Sequence, residues 1–393
     1  MEGQQELAEA ITERDQLLAK IETKERVAER ERLQAAIKDA REKRDGLPSG
    51  KMVYAAATHF KAQGNFKPTS GTPRPIHVLL RGDVQRPGKP VAPGVLPFSS
   101  ADQWQYSDLP DEAARRVAIA QWLTSEDHPL VWRSIVNRIW QYHFGKGIVE
   151  TPNDFGRMGA EPTHPLLLDY LAQYFLEHGQ SMKSLHRLIV TSSTYQQSSA
   201  HREAMAKQDQ SNRYLWRMNR RRLSAEEIRD SILVASGSLD RSMGGPGYYL
   251  FALEKTAHSP HYEYHKFDPA DESTHRRSIY RFIVRSQPDP WMTTLDCADS
   301  SQSTPRRNET LTALQALSLL NNRFNLYMAE QMAKELGNRA TDLPSQVDLA
   351  YLRVAQRNPD PQSRQEMIDF AAEYGLANLC RYLFNFSEFV YLD

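Results

Sequence analysis

One stretch, residues 128–199, limits more than any other what this chain can fold into. It reads HPLVWRSIVNRIWQYHFGKGIVETPNDFGRMGAEPTHPLLLDYLAQYFLEHGQSMKSLHRLIVTSSTYQQSS. Its apolar residues recur at helical rather than alternating spacing. Over residues 130–143, Ile135, Ile139 and Tyr142 make one row and Val136 and Trp140 an adjacent one, which predicts a largely buried helix. Asn137 and Arg138 lie beside those rows. A buried guanidinium is costly unless paired, so a carboxylate partner is expected for Arg138. His164-Pro165 opens a second helix with proline in its first turn, and Gly179 stops it. Ser181 is the expected N-cap of a third, on which Leu185, Leu188 and Ile189 face the core. Between the first two helices, residues 144–163 hold four glycines and two prolines. A loop of that length inside a compact domain is functional or tightly packed.

The flanking segments extend a mainly α pattern: a multi-helix globular domain, a long N-terminal helix or helical hairpin, and a few short β-strands. Residues 3–45 are rich in Glu, Lys, Arg, Ala and Gln, with too weak an apolar seam for a firm coiled coil. This reads as a helical spacer over residues 1–47. Residues 48–110 read as an extended linker with short strands. MVYAAATHF is one candidate; Ile76, Val78 and Leu80 mark another, ended by Gly82-Asp83. PGKPVAPGVLPF is proline-punctuated and expected to wrap the surface. From 111 to 393 the chain returns to helices. Asp111–Thr124 has an acidic first turn and apolar Val117, Ala120, Trp122 and Leu123. Ser224 and Glu227 form a capping box before Ile228, Ile232 and Leu233. RRSIYRFIVRS alternates as a strand or short helix, and Leu314, Leu317 and Leu320 point a later helix at the core.

Composition excludes several function classes. Lys plus Arg and Asp plus Glu each number 49, which removes a bulk electrostatic case for nucleic acid, and no nucleic-acid reader motif appears. The two cysteines, Cys297 and Cys380, allow at most one long-range disulfide and no cysteine zinc site or C-x-x-C haem attachment. No apolar run reaches the length of a membrane span. The N-terminus lacks the basic and apolar regions of a signal peptide. G-x-S-x-G, P-loop, H-E-x-x-H and Rossmann signatures are absent. His258, His261, His265 and His275 crowd one segment, but its proline and aromatics favour an irregular loop over a metal site.

Three polar constellations remain. Asn137, Arg138, Asp154, His164 and His186 surround the central loop. There a histidine suits acid–base work near neutral pH, with Asp154 as its partner, and an arginine suits a carboxylate clamp. Asp154, His164 and His186 are thus the catalytic candidates. The alternative is a buried polar network that fixes helix packing. The run Arg217, Arg220, Arg221 and Arg222 is either an anion site for sulfate, phosphate or a uronic acid, or an ion-pair set with Glu226, Glu227 and Asp230. Asp296, Arg306, Arg307 and Thr310 are either an anion cradle at a helix N-terminus or a salt-bridged cap.

Several long motifs in series also carry a resemblance. HVLLRGDVQRPGKPVAPGVL, then LTSEDHPLVWRSIVNRIWQYHFGKGIVETPNDFGRMGAEPTHPLLLDYLA and SLHRLIVTSSTYQQSS are the first three. NRYLWRMNRRRLSAEEIRDSIL, RRSIYRFIVR, RRNETLTALQALSLLNN and the ending SEFVYLD follow. From about residue 74 onward the chain resembles the domain of unknown function 1553, the C-terminal region of planctomycete-type cytochrome c domain-containing proteins. The resemblance implies a precursor carrying a signal peptide, a companion domain (number 1549) and often a cytochrome c domain, of which this chain would be a fragment. It implies a periplasmic or extracellular location, haem c only in a neighbouring domain, and an association with complex polysaccharides. It supplies no catalytic residue. Two readings are carried forward: a helical binding or accessory module, and an enzyme acting on polysaccharide or its anionic substituents. A structural scaffold is the third.

Overall fold

The computed structural model describes residues 10–17, 23–46, 60–68, 71–95, 109, 111–255 and 259–392. The segment MVYAAATH and His258 lie outside the described residues. The chain divides into two compact units, Met1–Pro93 with Tyr106–Arg116, and Gly94–Gln105 with Val117–Asp393.

In the first unit, helix α1 (Lys24–Asp45) begins where Thr23 accepts the Arg26 N–H and buries no residue. Its charged composition leaves it no face to bury. Strands β1 (Ile76–Leu79) and β2 (Pro87–Val91) form an antiparallel hairpin with Ile76 opposite Val91. The proline-punctuated segment thus pairs as a strand instead of only wrapping the surface. A two-stranded ribbon leaves one edge of β2 open, and an open edge tolerates residues without an N–H. Helix α2 (Glu112–Leu123), whose residues from Val117 on belong to the second unit, starts where Asp111 accepts the Ala114 N–H at 2.7 Å, and none of its residues is buried.

The second unit is mainly helical around two apolar cores. The first core joins helices α3 (Val131–Phe144), α4 (Pro165–Glu177) and α5 (Met182–Val190) through Trp132, Val136, Ile139, Trp140, Leu171, Phe175, Leu185 and Ile189. Ser181 caps α5 by accepting the Ser184 N–H at 3.3 Å. Two departures concern α3. Tyr142 is 62% exposed, because the buried face runs through Trp132, Val136, Trp140 and Phe144 instead. Arg138 is only half-buried and donates to the Asn153 side-chain oxygen, not to a carboxylate. Water still reaches it, so a neutral acceptor is enough. The carboxylate-paired arginine of this helix is Arg133, 2.6 Å from Asp169.

The second core is larger. It gathers α6 (Ala225–Ala235), the short α7 (Pro290–Thr294), α8 (Ala313–Asn321), α9 (Arg323–Arg339), α10 (Leu343–Ala355), α11 (Pro361–Tyr374) and α12 (Leu376–Leu383). The capping box at Ser224 and Glu227 forms, and Ile228, Ile232 and Leu233 are fully buried. Helix α8 is turned from its expected phase. Leu314 and Leu317 are 70% and 53% exposed, while Gln315 and Leu319 face inward. The cause is polar. Gln315 completes a capping box with Thr312 and donates to Asp296 at 2.9 Å, which fixes the rotation.

Strand β3 (Arg221–Arg222) pairs antiparallel with β6 (Tyr391–Leu392), tying the chain between the two cores to the C-terminal segment. A separate hairpin joins β4 (Ala252–Lys255) and β5 (Pro260–Glu263). RRSIYRFIVRS forms neither a ladder strand nor an α-helix. It holds one 3-10 turn, Ser278–Tyr280, and single bridges to Asp240 and Tyr248. Its arginines are drawn individually to separate partners, which breaks any regular alternation. Both cysteines are free, and Cys380 lies in the second core, where burial pushes its thiol up to about 12.

Candidate functional site

The five polar residues around the central loop each find a local partner. Asn137 donates to the Val149 carbonyl at 3.0 Å and accepts the Val149 N–H at 2.8 Å, so it clamps the loop. Asp154 accepts the Gly156 N–H at 2.8 Å through its side chain and the Thr151 hydroxyl through its carbonyl. His164 sits at the N-terminus of α4, with Nδ1 2.9 Å from the Thr163 hydroxyl. His186 meets His143, ring nitrogen to ring nitrogen, at 2.7 Å. Burial, then the charges of His186 and Arg221, hold His143 below its ordinary value. None of Asn137, Arg138, Asp154, His164 and His186 lines the two clefts described next.

The other candidates do converge. Arg222, Asp296, Arg306 and Arg307 line one hollow of about 210 Å³, with Arg221, Ser224 and Glu227. Arg222 is buried and donates to Asp296 at 2.8 Å and to the Thr310 carbonyl at 2.9 Å. Asp296 also accepts the Thr310 N–H and the Gln315 amide. Burial alone would raise the Asp296 carboxyl, but those donors and Arg222 hold it below the usual range. With the Thr310 hydroxyl at 2.9 Å, four donors converge on this one carboxylate. Arg306 is half-exposed, 3.8 Å from Glu150 of the central loop. Of the Arg217–Arg222 run, Arg221 takes Glu227 with two 3.0 Å bonds, and Arg217 stands over the Trp216 ring.

A larger cleft of about 1390 Å³ opens along α6, lined in part by Glu226, Asp230, Ser278, Arg281 and Arg307. Here a chain of polar groups runs inward. Arg307 binds Glu226 through two bonds of 3.1 and 3.2 Å. The Cys297 thiol reaches the same carboxylate at 3.5 Å, and Arg281 donates to that sulfur at 3.6 Å. Arg281 then faces Asp289 at 4.0 Å. Arg281 is buried, and its Nε has no hydrogen-bond partner. Its guanidinium therefore has two long contacts where a buried arginine normally has several short ones.

The carboxyls at the two ends of this chain are driven apart. Burial would raise Glu226, but Arg307 beside it, with further hydrogen bonds, holds it below its ordinary value. Burial dominates at Asp289 and raises it, against the pull of the Met292 N–H and Arg281. Burial, and then the Glu226 charge, raise the Cys297 thiol above its ordinary value, which favours the thiol over the thiolate. Next to them Arg229, 1% exposed, donates to the Thr274 carbonyl at 2.6 Å and the Arg276 carbonyl at 3.0 Å, between the rings of Tyr248 and Phe324.

Arg229, Arg281, Asp289 and Cys297 are the residues that sequence reasoning passed over as a group. A signal existed for one of them. Arg229 stands three and four places before Ile232 and Leu233, on the apolar face of α6, where an arginine must be buried and paired. Arg281 and Asp289 lie in irregular chain, where no periodicity marks the inward face.

Among the described residues, no group of three or more His, Cys, Asp or Glu gathers as a metal site. His265 pairs with Glu263 at 3.1 Å, and buried His275 meets the Pro269 carbonyl at 2.9 Å. Covalent haem does not fit the residues present, since Cys380 is sealed in the core and Cys297 is held against Glu226. No described helix is long and apolar enough to cross a membrane.

Fold and cleft together define a helical protein with an arginine-rich polar cleft beside its larger core. Residues 115–371 match the family PSD1, described as "Protein of unknown function (DUF1553)", and the chain belongs to that family. No curated protein and no solved structure matches it.

Proposed function

We propose that this protein is a helical binding module of an exported multidomain protein, and that its α6 cleft takes an anionic saccharide such as a uronate or sulfated sugar. The observation that supports this is Arg281. It is a buried guanidinium that lines the cleft; among the described residues it meets the Cys297 sulfur at 3.6 Å and Asp289 at 4.0 Å, and its Nε is unpartnered. Arg307 stands at the same cleft, partly exposed and able to share its charge between Glu226 and a ligand. Planar, forked donors suit carboxylate and sulfate oxygens. In this reading residues 1–47 are a spacer, 48–110 a linker, and 111–393 the binding body. A cytochrome c domain and the companion domain would be its neighbours, with haem c held there.

The test is calorimetric titration with an oligogalacturonate, a sulfated oligosaccharide and an uncharged oligosaccharide of equal length. An anionic one should bind, more weakly in Arg307→Gln and with rising salt. Equal binding of the uncharged chain, or no binding by either anionic one, would overturn the reading.

A second reading, an enzyme acting on the same ligand, is favoured by one observation. Glu226 lines the cleft beside Arg307 and is held toward its ionised form, the state a general base needs. Release of reducing ends or sulfate that stops in Glu226→Gln would move the assignment to this reading.

A further inference from the structure

We infer that the hollow between the C-terminal end of α3 and the N-terminal end of α6 holds one uncharged pyranose ring. It measures about 210 Å³, and residues 304–309 close its third side. It adjoins the α6 cleft, with which it shares Ser224, Glu227 and Arg307. Its chemistry is set by its own walls and does not depend on the reading given to that cleft.

Three observations set the ligand's chemistry. The first is the balance of charge. Four guanidinium groups line the hollow, and each already faces a carboxylate. Arg221 takes Glu227 with two 3.0 Å bonds, Arg222 takes Asp296 at 2.8 Å, Arg307 takes Glu226 at 3.1 Å, and Arg306 has Glu150 at 3.8 Å. The remaining charged group on the walls is Glu309, exposed at the rim. An anion would compete with those carboxylates and also meet Glu309. A cation would meet four guanidinium groups, with only that exposed carboxylate uncommitted. A ring without net charge avoids both penalties.

The second observation is a set of accessible, uncommitted polar groups. Gln141, Tyr142, Thr304, Asn308 and Glu309 line the hollow, and none of their side chains hydrogen-bonds to another described residue. Tyr142, Asn308 and Glu309 are exposed, and Gln141 and Thr304 are half-buried, so a solute can reach all five. Two amides, two hydroxyls and a carboxylate offer donors and acceptors side by side. A sugar hydroxyl both donates and accepts, so a ring that carries several can engage such a mixture. The groups stand on anchored chain. Helix α3 ends just past Tyr142, where the Gly145 N–H donates to the Gln141 carbonyl at 2.7 Å. The 304–309 loop is tied by Arg307 to Glu226 and, just beyond its end, by the Thr310 N–H to Asp296 at 2.8 Å.

The third observation is shape. Tyr142, 62% exposed, brings a flat aromatic ring to the wall, and such a ring suits the C–H face of a pyranose. The volume is below the range usual for drug-sized ligands, roughly 300–1,000 Å³, and suits one ring with its hydroxyls.

The full chain is titrated with the methyl glycosides of glucose, galactose, mannose and xylose, and with methyl glucuronide and 4-methylphenol beside them. At least one neutral glycoside should saturate a single site below about 10 mM, the weak end for so few atoms. Tyr142→Ala and Asn308→Ala should each weaken that binding about 3- to 10-fold. Neither residue lines the α6 cleft, so glucuronide binding there should be the same in both variants. In the unaltered protein, the Tyr142 ring protons should show nuclear Overhauser contacts to the sugar C–H protons, a readout that holds even if a variant fails to fold. The assignment is overturned if no neutral glycoside saturates, if both variants bind it unchanged, or if the Tyr142 ring shows no sugar contact. It is also overturned if 4-methylphenol binds as tightly as the best glycoside, or if Tyr142→Ala weakens the glucuronide as much. Neutral glycosides that bind while the glucuronide does not would sink the reading of the α6 cleft and leave this one standing.

Discussion

The side chain of Asn137 closes a two-bond ring with the backbone of Val149, donating to its carbonyl at 3.0 Å and accepting its N–H at 2.8 Å. Both residues are buried, so the amide acts as a strand partner for a loop that has none. Gly147 is pressed into the same space. A Cβ there would lie 2.4 Å from the Val149 carbonyl oxygen and 2.8 Å from the Asn137 amide nitrogen. Asn137→Ala should therefore cost about 3 kcal/mol, because it leaves a buried donor and acceptor unpaired. Urea unfolding reads this directly, and a loss below about 1 kcal/mol would mean the loop keeps its backbone satisfied in another way.

Arg229 predicts a second large loss. It is fully enclosed, with two backbone carbonyls as acceptors, Asp230 at 3.7 Å and an aromatic ring on either side. Arg229→Ala removes the donors and opens a cavity, and should cost about 3–5 kcal/mol. Arg229→Lys should recover only part of it, since an ammonium cannot fork to Thr274 and Arg276 together. Full recovery by lysine in equilibrium unfolding would show that charge alone matters there.

Glu226 and Asp289 should give opposite pH limbs. The folded-state value of Glu226 is depressed, so its contribution is present above the ordinary carboxylate range and is lost as pH falls through the folded value. Glu226→Gln should flatten the acid side of the stability profile. Asp289 is raised, so its contribution is complete at low pH and is lost as pH rises through its folded value. The stability of Asp289→Asn relative to the unaltered protein should then improve as pH rises across the carboxylate range. Denaturation midpoints at a series of pH values test both signs, and parallel profiles for the two variants would contradict them.

The His143–His186 pair makes the fold sensitive to mild acid. One ring donates and the other accepts, an arrangement that two imidazolium rings cannot keep. His143 is depressed, chiefly by burial, so the stability it contributes is present above the ordinary histidine value and is lost as pH falls below it. Thermal midpoints should drop between about pH 7 and pH 5.5 and drop less in His143→Gln, whose amide cannot titrate. An equal drop in both proteins would place the acid sensitivity elsewhere.

The helices were readable wherever the chain repeats an apolar spacing or spells out a cap. Ser181, the Ser224–Glu227 box and the rows of α5 and α6 formed as their residues demand, because a cap is satisfied within one turn. The helix-rich class and the family followed from the same local words. What local words could not carry was phase and convergence. Asp296 draws Gln315 inward and turns Leu314 and Leu317 to solvent, an outcome decided by a residue nineteen positions before the glutamine.

The candidate site divides in the same way. Sequence alone determined which residues could carry charge and which stretches would be helical, since side-chain chemistry and the 3.6-residue period are local properties. It placed Arg222, Asp296, Arg306 and Arg307 among the candidates, but it set them level with Asn137, Asp154, His164 and His186. Only the tertiary structure separated the two groups. The first group meets in one hollow, while the second is held singly by near neighbours. Arg281 and Asp289 emerged from irregular chain, where burial depends on which distant elements close over a residue, and no period along the sequence encodes that.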